Sequence, residues 1–105
     1  MIEITYTPLA MRFEGHAGYA AKGKDIVCAG VSALYGALIE SLNDAEERGE
    51  GKLFWNDKTG EVRFEALEVA SERIRTIFET IWCGLRLMQS HYENHVTLRR
   101  TFSPN

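Results

Sequence analysis

The stretch "DIVCAGVSALYGALIESLN", residues 25–43, decides how the rest of the chain must be arranged. Its aliphatic residues recur every three or four positions, which is the period of an α-helix with one apolar face. These residues are Val27, Val31, Leu34, Leu38 and Leu42. Asp25 is a favourable N-cap, so the spacing predicts a helix that begins there and runs to about Asn43. A helix of this kind has to bury its apolar face against another layer of structure.

Alternating, β-branched segments precede and follow this helix. "IEITYT" (2–7) and "AMRFEG" (10–15), interrupted at Pro8, predict two strands of a hairpin. "KLFWN" (52–56) and "EVRFEA" (61–66) flank the turn sequence "DKTG" and predict a second hairpin. The charged, glycine-containing segment between the helix and this hairpin predicts a turn.

The last third of the chain predicts a second helix from about Ser71 to Tyr92. Its apolar stripe consists of Ile74, Ile77, Phe78, Ile81, Leu85 and Met88. "HVTLRR" (95–100) is short and β-branched, and it indicates a possible final strand. The order ββαββα predicts a two-layer α+β fold, with two helices packed on a mostly antiparallel sheet. With 105 residues and no linker, we expect one domain over 1–105.

The composition narrows the class of protein. Hydrophobic residues make up 45% and charged residues 26% of the chain, which is typical of a soluble globular domain. The net charge of −3 does not favour direct nucleic-acid binding, because phosphate contacts need clustered Lys and Arg. We expect no signal peptide, since no basic region precedes an apolar core, and no transmembrane helix, since apolar runs end well before eighteen residues. Two distant cysteines make no disulfide framework, so a cytoplasmic protein is expected.

Cys28 falls in the first turn of the predicted helix. If Asp25 is the N-cap, Cys28 occupies position N3, near the orphan N–H groups and the positive end of the helix dipole. Thiolates are stabilised at such positions, and the same N–H groups can hold an oxyanion when a carbonyl is attacked. At about 100° per residue, Cys28 lies at the edge of the apolar stripe, with Ser32 one turn further on the same edge.

His16 ends the second predicted strand, and the segment from Ala17 to Lys24 joins it to the helix. A strand end and a helix start that are connected by eight residues can lie side by side, which would bring an imidazole to the thiol. A Cys–His pair is the minimum for thiol catalysis, with histidine as the base. The alternative is a packing role, because cysteine is among the most buried residue types. The helix pattern by itself leaves both interpretations open.

The stretch "GHAGYAAKGKDIVCAGVSAL" (15–34) resembles the signature of the ribosomal-processing cysteine protease family, Prp. That signature has Gly-His-Ala, a short loop, Gly-x-Asp-Ile-Val-Cys-Ala, and Ser-Ala one turn later. The matching positions are Gly15, His16, Ala17, Gly23, Asp25, Ile26, Val27, Cys28, Ala29, Ser32 and Ala33. Outside the signature, the order of strands and helices is similar over nearly the whole chain. The family often has Tyr-Pro after the second helix, whereas Tyr92 is followed here by Glu93.

The resemblance implies a small, dimeric cysteine endopeptidase without a cofactor. Such proteases remove an N-terminal extension, which carries an aromatic-rich motif, from a large-subunit ribosomal protein. Carried over, Cys28 is the nucleophile and His16 the base, while Asp25 and Ser32 have supporting roles. The segment matching 17–24 is implied to move and admit substrate, which agrees with its glycines. The residues that the resemblance assigns to this substrate loop are Gly15, which directly precedes His16, and Ala17, Gly18 and Gly23.

Other residues have less specific patterns. Cys83 is predicted to lie opposite the apolar stripe of the second helix. It is either a packing residue or the resolving thiol of a redox protein. His91 and His95 are four apart, but the helix is expected to end between them, so no metal site is predicted. The alternation of a strand places Phe54 and Trp55 on opposite faces of the hairpin. Their expected role is core filling, and the alternatives are a dimer contact or an aromatic substrate pocket. A non-catalytic module that binds a peptide or a ribosomal surface is the main alternative function.

Overall fold

The computed structural model describes residues 1–15, 18, 20–21, 24–58, 61–69 and 71–101, with the backbone only at 57, 58 and 69. The strands are β1 (Ile2–Thr7), β2 (Ala10–Gly15), β3 (Gly51–Lys58), β4 (Glu61–Val69) and β5 (Val96–Arg100). The helices are α1 (Ile26–Glu47) and α2 (Glu72–His91). The expected order ββαββα with a final strand is therefore confirmed.

The five strands form one mixed sheet in the order β3-β4-β2-β1-β5. β1 and β2 form the first predicted hairpin, β3 and β4 the second, and β2 pairs with β4 in antiparallel register. β5 lies parallel to β1, with Val96 opposite Ile2, because α2 carries the chain back across the sheet before β5 begins. β3 and β5 are thus the edge strands of the sheet.

Both helices cover the same face of the sheet, and the core lies between the two layers. Strand residues of one parity are buried there, as the alternation predicted: Ile2, Ile4, Tyr6, Met11, Phe13 and Phe64. Trp82, which the stripe of the second helix did not include, is also buried and stacks on Tyr6 with ring centroids 4.6 Å apart. Burial, followed by the charge of Glu79, raises the pKa of the Tyr6 hydroxyl.

The two helices run antiparallel and approach closely where one of them has glycine. A Cβ added to Gly30 of α1 would lie 2.7 Å from Cε of Met88, and one added to Gly84 of α2 would lie 2.7 Å from Cδ2 of Leu34. At the other end, Arg73 donates to Asp44 at 2.8 Å. The start of α1 therefore lies beside the end of α2.

α1 is one turn longer than its sequence predicted. The segment 44–47, which was expected to begin a turn, continues the helix, and the chain turns only at 48–50. The reason is burial and charge: Ala45 is fully buried, and the carboxylate of Asp44 bonds Arg48 at 3.1 Å as well as Arg73. Gly49 ends the turn with φ +74, which glycine adopts readily.

By length and composition, α1 would also pass as a membrane-crossing helix, and it is the one helix in the described ranges that does so. The sequence analysis did not predict this, because it counted uninterrupted apolar runs. In α1, glycine, alanine and serine interrupt the aliphatic residues without adding charge. The core helix of a soluble protein passes the same test. In this fold, one face of α1 packs in the core through Val27, Val31, Leu38 and Leu42.

Two glycines give opposite predictions for the free energy of unfolding. A Cβ at Gly51 would collide with the backbone carbonyl of Glu68 and with Cδ1 of Ile74, so Gly51→Ala should destabilise the protein by about 1–3 kcal/mol. Nothing lies within 4 Å of a Cβ at Gly36 in α1, so Gly36→Ala should stabilise it by about 0.5–1 kcal/mol. Urea unfolding measures both changes, and the same sign for the two variants would contradict this packing.

Candidate active site

Asp25 is the N-cap of α1, as predicted. Asp25 has extended backbone angles (φ −85, ψ 98), and its Oδ1 accepts hydrogen bonds from the N–H groups of Val27 and Cys28, both at 3.0 Å. The Asp25 carbonyl accepts the first helical bond, from Ala29, at 3.0 Å. Cys28 is therefore held at N3, in the first turn, where the sequence placed it.

Asp25 also connects the helix to the segment that precedes it. Its second carboxylate oxygen, Oδ2, accepts a hydrogen bond from the N–H of Ala20 at 3.4 Å. Nearer the helix, the N–H of Lys24 donates to the carbonyl of Ala21 at 2.9 Å. One carboxylate thus fixes both the first turn of α1 and part of the predicted substrate loop.

The side chain of Cys28 is half-buried, at the edge of the face that α1 packs in the core. Ser32 follows one turn later and is exposed. The expectation that Cys28 is neither fully core nor fully solvent-exposed is confirmed. A thiol in this position has contact with apolar neighbours on one side and access from solvent on the other.

The other member of the predicted dyad, His16, directly follows Gly15, the last residue of β2. Gly15 has φ +87, and a Cβ there would collide with the carbonyl oxygen of Met1, so both the backbone angle and the space require glycine. Gly18 also has a positive φ, of +66. His16, Ala17 and Gly23, which the sequence assigned to the base and the loop, lie outside the described residues.

The N–H groups that were expected to hold an oxyanion are already engaged. Those of Val27 and Cys28 donate to Asp25, and that of Ala29 belongs to the helix. A substrate oxygen held by the N–H of Cys28 therefore requires the Asp25 carboxylate to give up one hydrogen bond. This competition follows from the two predictions together, because an N-cap side chain accepts from the N–H groups of N2 and N3.

The remaining candidates lie away from this helix start. Cys83 is exposed on α2, and neither it nor Cys28 is in a disulfide. His91 ends α2 and is exposed, while the half-buried His95 precedes β5 and accepts a hydrogen bond from Ile2 through its carbonyl. Within the described ranges, no group of three His, Cys, Asp or Glu residues is placed to hold a metal ion.

An aromatic cluster lies beside α1, on the side of β3. Trp55 stacks on Phe64 at 6.3 Å, and Tyr35 lies 6.0 Å from Phe64 and 5.9 Å from Phe13. Phe54 and Trp55 point to opposite faces as predicted, and both are exposed, by 43% and 50%. The sequence analysis singled out Phe54 and Trp55 but missed Tyr35, whose spacing of seven residues from Cys28 was the available signal.

Known proteins share both the sequence pattern and this fold. Residues 1–97 match the family model described as cysteine protease Prp. The ribosomal processing cysteine protease Prp of Mycoplasma genitalium is 31% identical over 101 residues, covering 93% of this chain and 94% of that protein. Its namesake from Staphylococcus aureus is 27% identical over 86 residues, covering 81% and 79%.

Solved structures agree with the family match. The S. aureus Prp protease in complex with a covalently linked product peptide superposes with a TM-score of 0.82, at 24% identity, covering 96% of this chain and all of that one. The same protease with a substrate peptide gives a TM-score of 0.75. The match of sequence over 1–97 and of fold over nearly the whole chain shows that this protein belongs to the cysteine protease Prp family.

Proposed function

We propose that this protein is a cysteine endopeptidase that removes the N-terminal extension of a large-subunit ribosomal protein. The observation that carries the proposal is the position of Cys28, half-buried at N3 of α1 in a chain of a cysteine protease family. The names of the relatives, ribosomal processing cysteine protease, support the class of substrate. We place the reaction in the cytoplasm, without a cofactor.

In the proposed mechanism, Cys28 attacks the carbonyl carbon of the scissile bond, and His16 takes the thiol proton. When the C–N bond breaks, His16 returns that proton to the leaving amine, and a thioester to Cys28 remains. Water, deprotonated by His16, then hydrolyses the thioester and regenerates the thiol. Asp25 and Ser32 position the helix start and the thiol, and the segment 17–24 admits the peptide.

Replacing either member of the dyad should abolish cleavage. We expect Cys28→Ala and His16→Ala each to lower kcat/KM by about a thousandfold or more on a peptide that spans the extension junction, because nucleophile and base act as a unit. Mass spectrometry of the cleaved peptide measures the rate.

Cys83→Ala and His91→Ala are matched controls, because both side chains are exposed on α2 and lie outside the proposed dyad. They should cleave at nearly the wild-type rate. Equal cleavage by the wild type and Cys28→Ala would contradict the proposal. Peptide binding by a wild type that cuts nothing would support the binding-module alternative instead.

The capping role of Asp25 can be separated from its charge. Asparagine is also a good N-cap, so Asp25→Asn should keep the stability and most of the activity, whereas Asp25→Ala should lose about 1 kcal/mol of unfolding free energy and more of the activity. Thermal unfolding and cleavage assays on both variants measure this. An Asn variant as inactive as the Ala variant would show that the reaction needs the carboxylate charge itself.

We propose that the protein acts as a homodimer and that the outer face of α1 contributes to the interface. In the single chain, 22% of the most apolar stretch of this helix is buried, and Ala29, Ala33 and Ala37 are exposed on it. An uncharged helical face of this kind favours a second copy as its cover.

Light scattering should therefore give twice the chain mass for the wild type. Ala33→Glu should give the monomer mass, because a carboxylate cannot be buried at the interface without a partner. Thr80→Glu, on the exposed side of α2, is the control and should remain a dimer. A wild type that is monomeric at all concentrations, or that binds lipid vesicles through α1, would contradict this proposal.

Direct nucleic-acid binding and membrane binding are not part of the proposed function. The register aligns Arg99, Arg12 and Arg63 across the outer face of the sheet, the face opposite the helices. Glutamates of the same face bond two of them: Arg12 to Glu14 and Arg63 to Glu65, both at 2.9 Å. This pairing of charges supports the expectation that the face is not a phosphate-binding surface.

A further inference from the structure

The edge of α1 that carries Cys28 points toward β3. Cys28, Ser32, Tyr35 and Ile39 follow each other at spacings of four, three and four residues, so they form one line along the helix. Ile39 lines a depression together with Trp55 of β3. The nucleophile and the exposed tryptophan are therefore on the same side of α1.

The opposite edge of α1 is closed by the second helix. Gly30 contacts Met88 there, and Leu34 contacts Gly84. A polypeptide that reaches Cys28 cannot continue along that edge, because α2 occupies it. The line through Tyr35 lies on the edge of α1 that α2 does not cover, so an extended chain bound at Cys28 has a path along it in the direction of β3.

Tyr35, Trp55 and Phe64 together form what we call the aromatic shelf. Phe64 is 2% exposed and forms its base, and Trp55 stacks on that base with an angle of 18° between the ring planes. The ring of Tyr35, on α1, packs against Phe64 with the two ring centroids 6.0 Å apart. The shelf therefore offers aromatic surface to solvent in a fixed position, which is the arrangement that binds another ring or a large aliphatic side chain.

The distance from the nucleophile sets which part of a substrate can reach the shelf. At 1.5 Å per residue, Tyr35 is about 10 Å and Ile39 about 16 Å along the helix axis from Cys28. An extended peptide advances about 3.3 Å per residue. A side chain that reaches the shelf is therefore about three to five residues away from the scissile bond.

We propose that the aromatic shelf is a specificity subsite, which binds a large apolar side chain of the substrate three to five residues from the scissile bond. This inference rests on the proposed protease function. The contact is between side chains, because the nearby edge of β3 is partly occupied: the N–H of Leu53 donates to Oε2 of Glu46 at 2.9 Å. A substrate backbone that paired with β3 at Leu53 would have to displace that carboxylate.

Phe54 supplies a matched control for Trp55. The two residues are neighbours on β3 with similar exposure, but Phe54 points to the outer face of the sheet, away from α1 and Cys28. Trp55→Ala should lower kcat/KM about tenfold, mainly through KM, on a peptide spanning the extension junction. Phe54→Ala should leave it unchanged, and Trp55→Tyr should restore most of the loss.

A double-mutant cycle identifies the interacting position of the substrate. Each residue three to five positions from the cleaved bond, on both sides, is replaced by alanine in turn, and each peptide is tested with the wild type and with Trp55→Ala. At one apolar position the two losses should not add, because either change removes the same contact. Additive losses at every position, or the same coupling with Phe54→Ala, would overturn the subsite.

A binding measurement separates this inference from the proposed function. On the Cys28→Ala background, with Trp55 present and with Trp55→Ala, the same peptides are titrated by isothermal titration calorimetry, because this measurement does not need the exposed Trp55 as its reporter. Cleavage that does not depend on Trp55 would overturn the subsite and leave the protease intact. Binding that depends on Trp55, with no cleavage by the wild type, would overturn the protease function and leave the subsite.

Discussion

The rotation of α1 about its own axis is the constraint on which the site depends. The helix buries Val27, Leu38 and Ala45 completely against the sheet, and Gly30 allows α2 to approach closely on one side. These contacts admit one rotational setting, because turning the helix would expose its stripe and push the small residues away from α2. In that setting Cys28 comes to the edge of the core, on the side that α2 leaves open.

Asp25 joins three requirements of the site in one side chain. It caps α1, it accepts a hydrogen bond from Ala20 of the preceding segment, and it engages the N–H groups that the sequence predicted for an oxyanion. If the N–H of Cys28 holds an oxyanion, as the sequence predicts, a hydrogen bond to the cap has to be exchanged for one to the substrate.

Local patterns predicted most of the fold. Strands β1 and β2 were predicted to the residue, and α2 to within one residue at each end, because alternation, helical spacing and caps act over a few neighbours. The end of α1 was wrong by one turn, since the burial of Ala45 and the bond from Arg73 to Asp44 come from residues distant in sequence. The same limit applies to Trp82, which lies beside the predicted stripe and is buried because Tyr6 of β1 faces it.

For the site, the sequence by itself determined the cap at Asp25, the place of Cys28 in the first turn and its position at the edge of the apolar stripe. The order of residues 15–33 also indicated the family. Only the tertiary structure decided which side of α1 is open, that both Phe54 and Trp55 are exposed, and that Tyr35 joins Trp55 and Phe64 in one shelf. Spacing along a helix fixes which residues share an edge, but what that edge faces depends on the packing of β3 and α2, whose contacts are made by residues far apart in the chain.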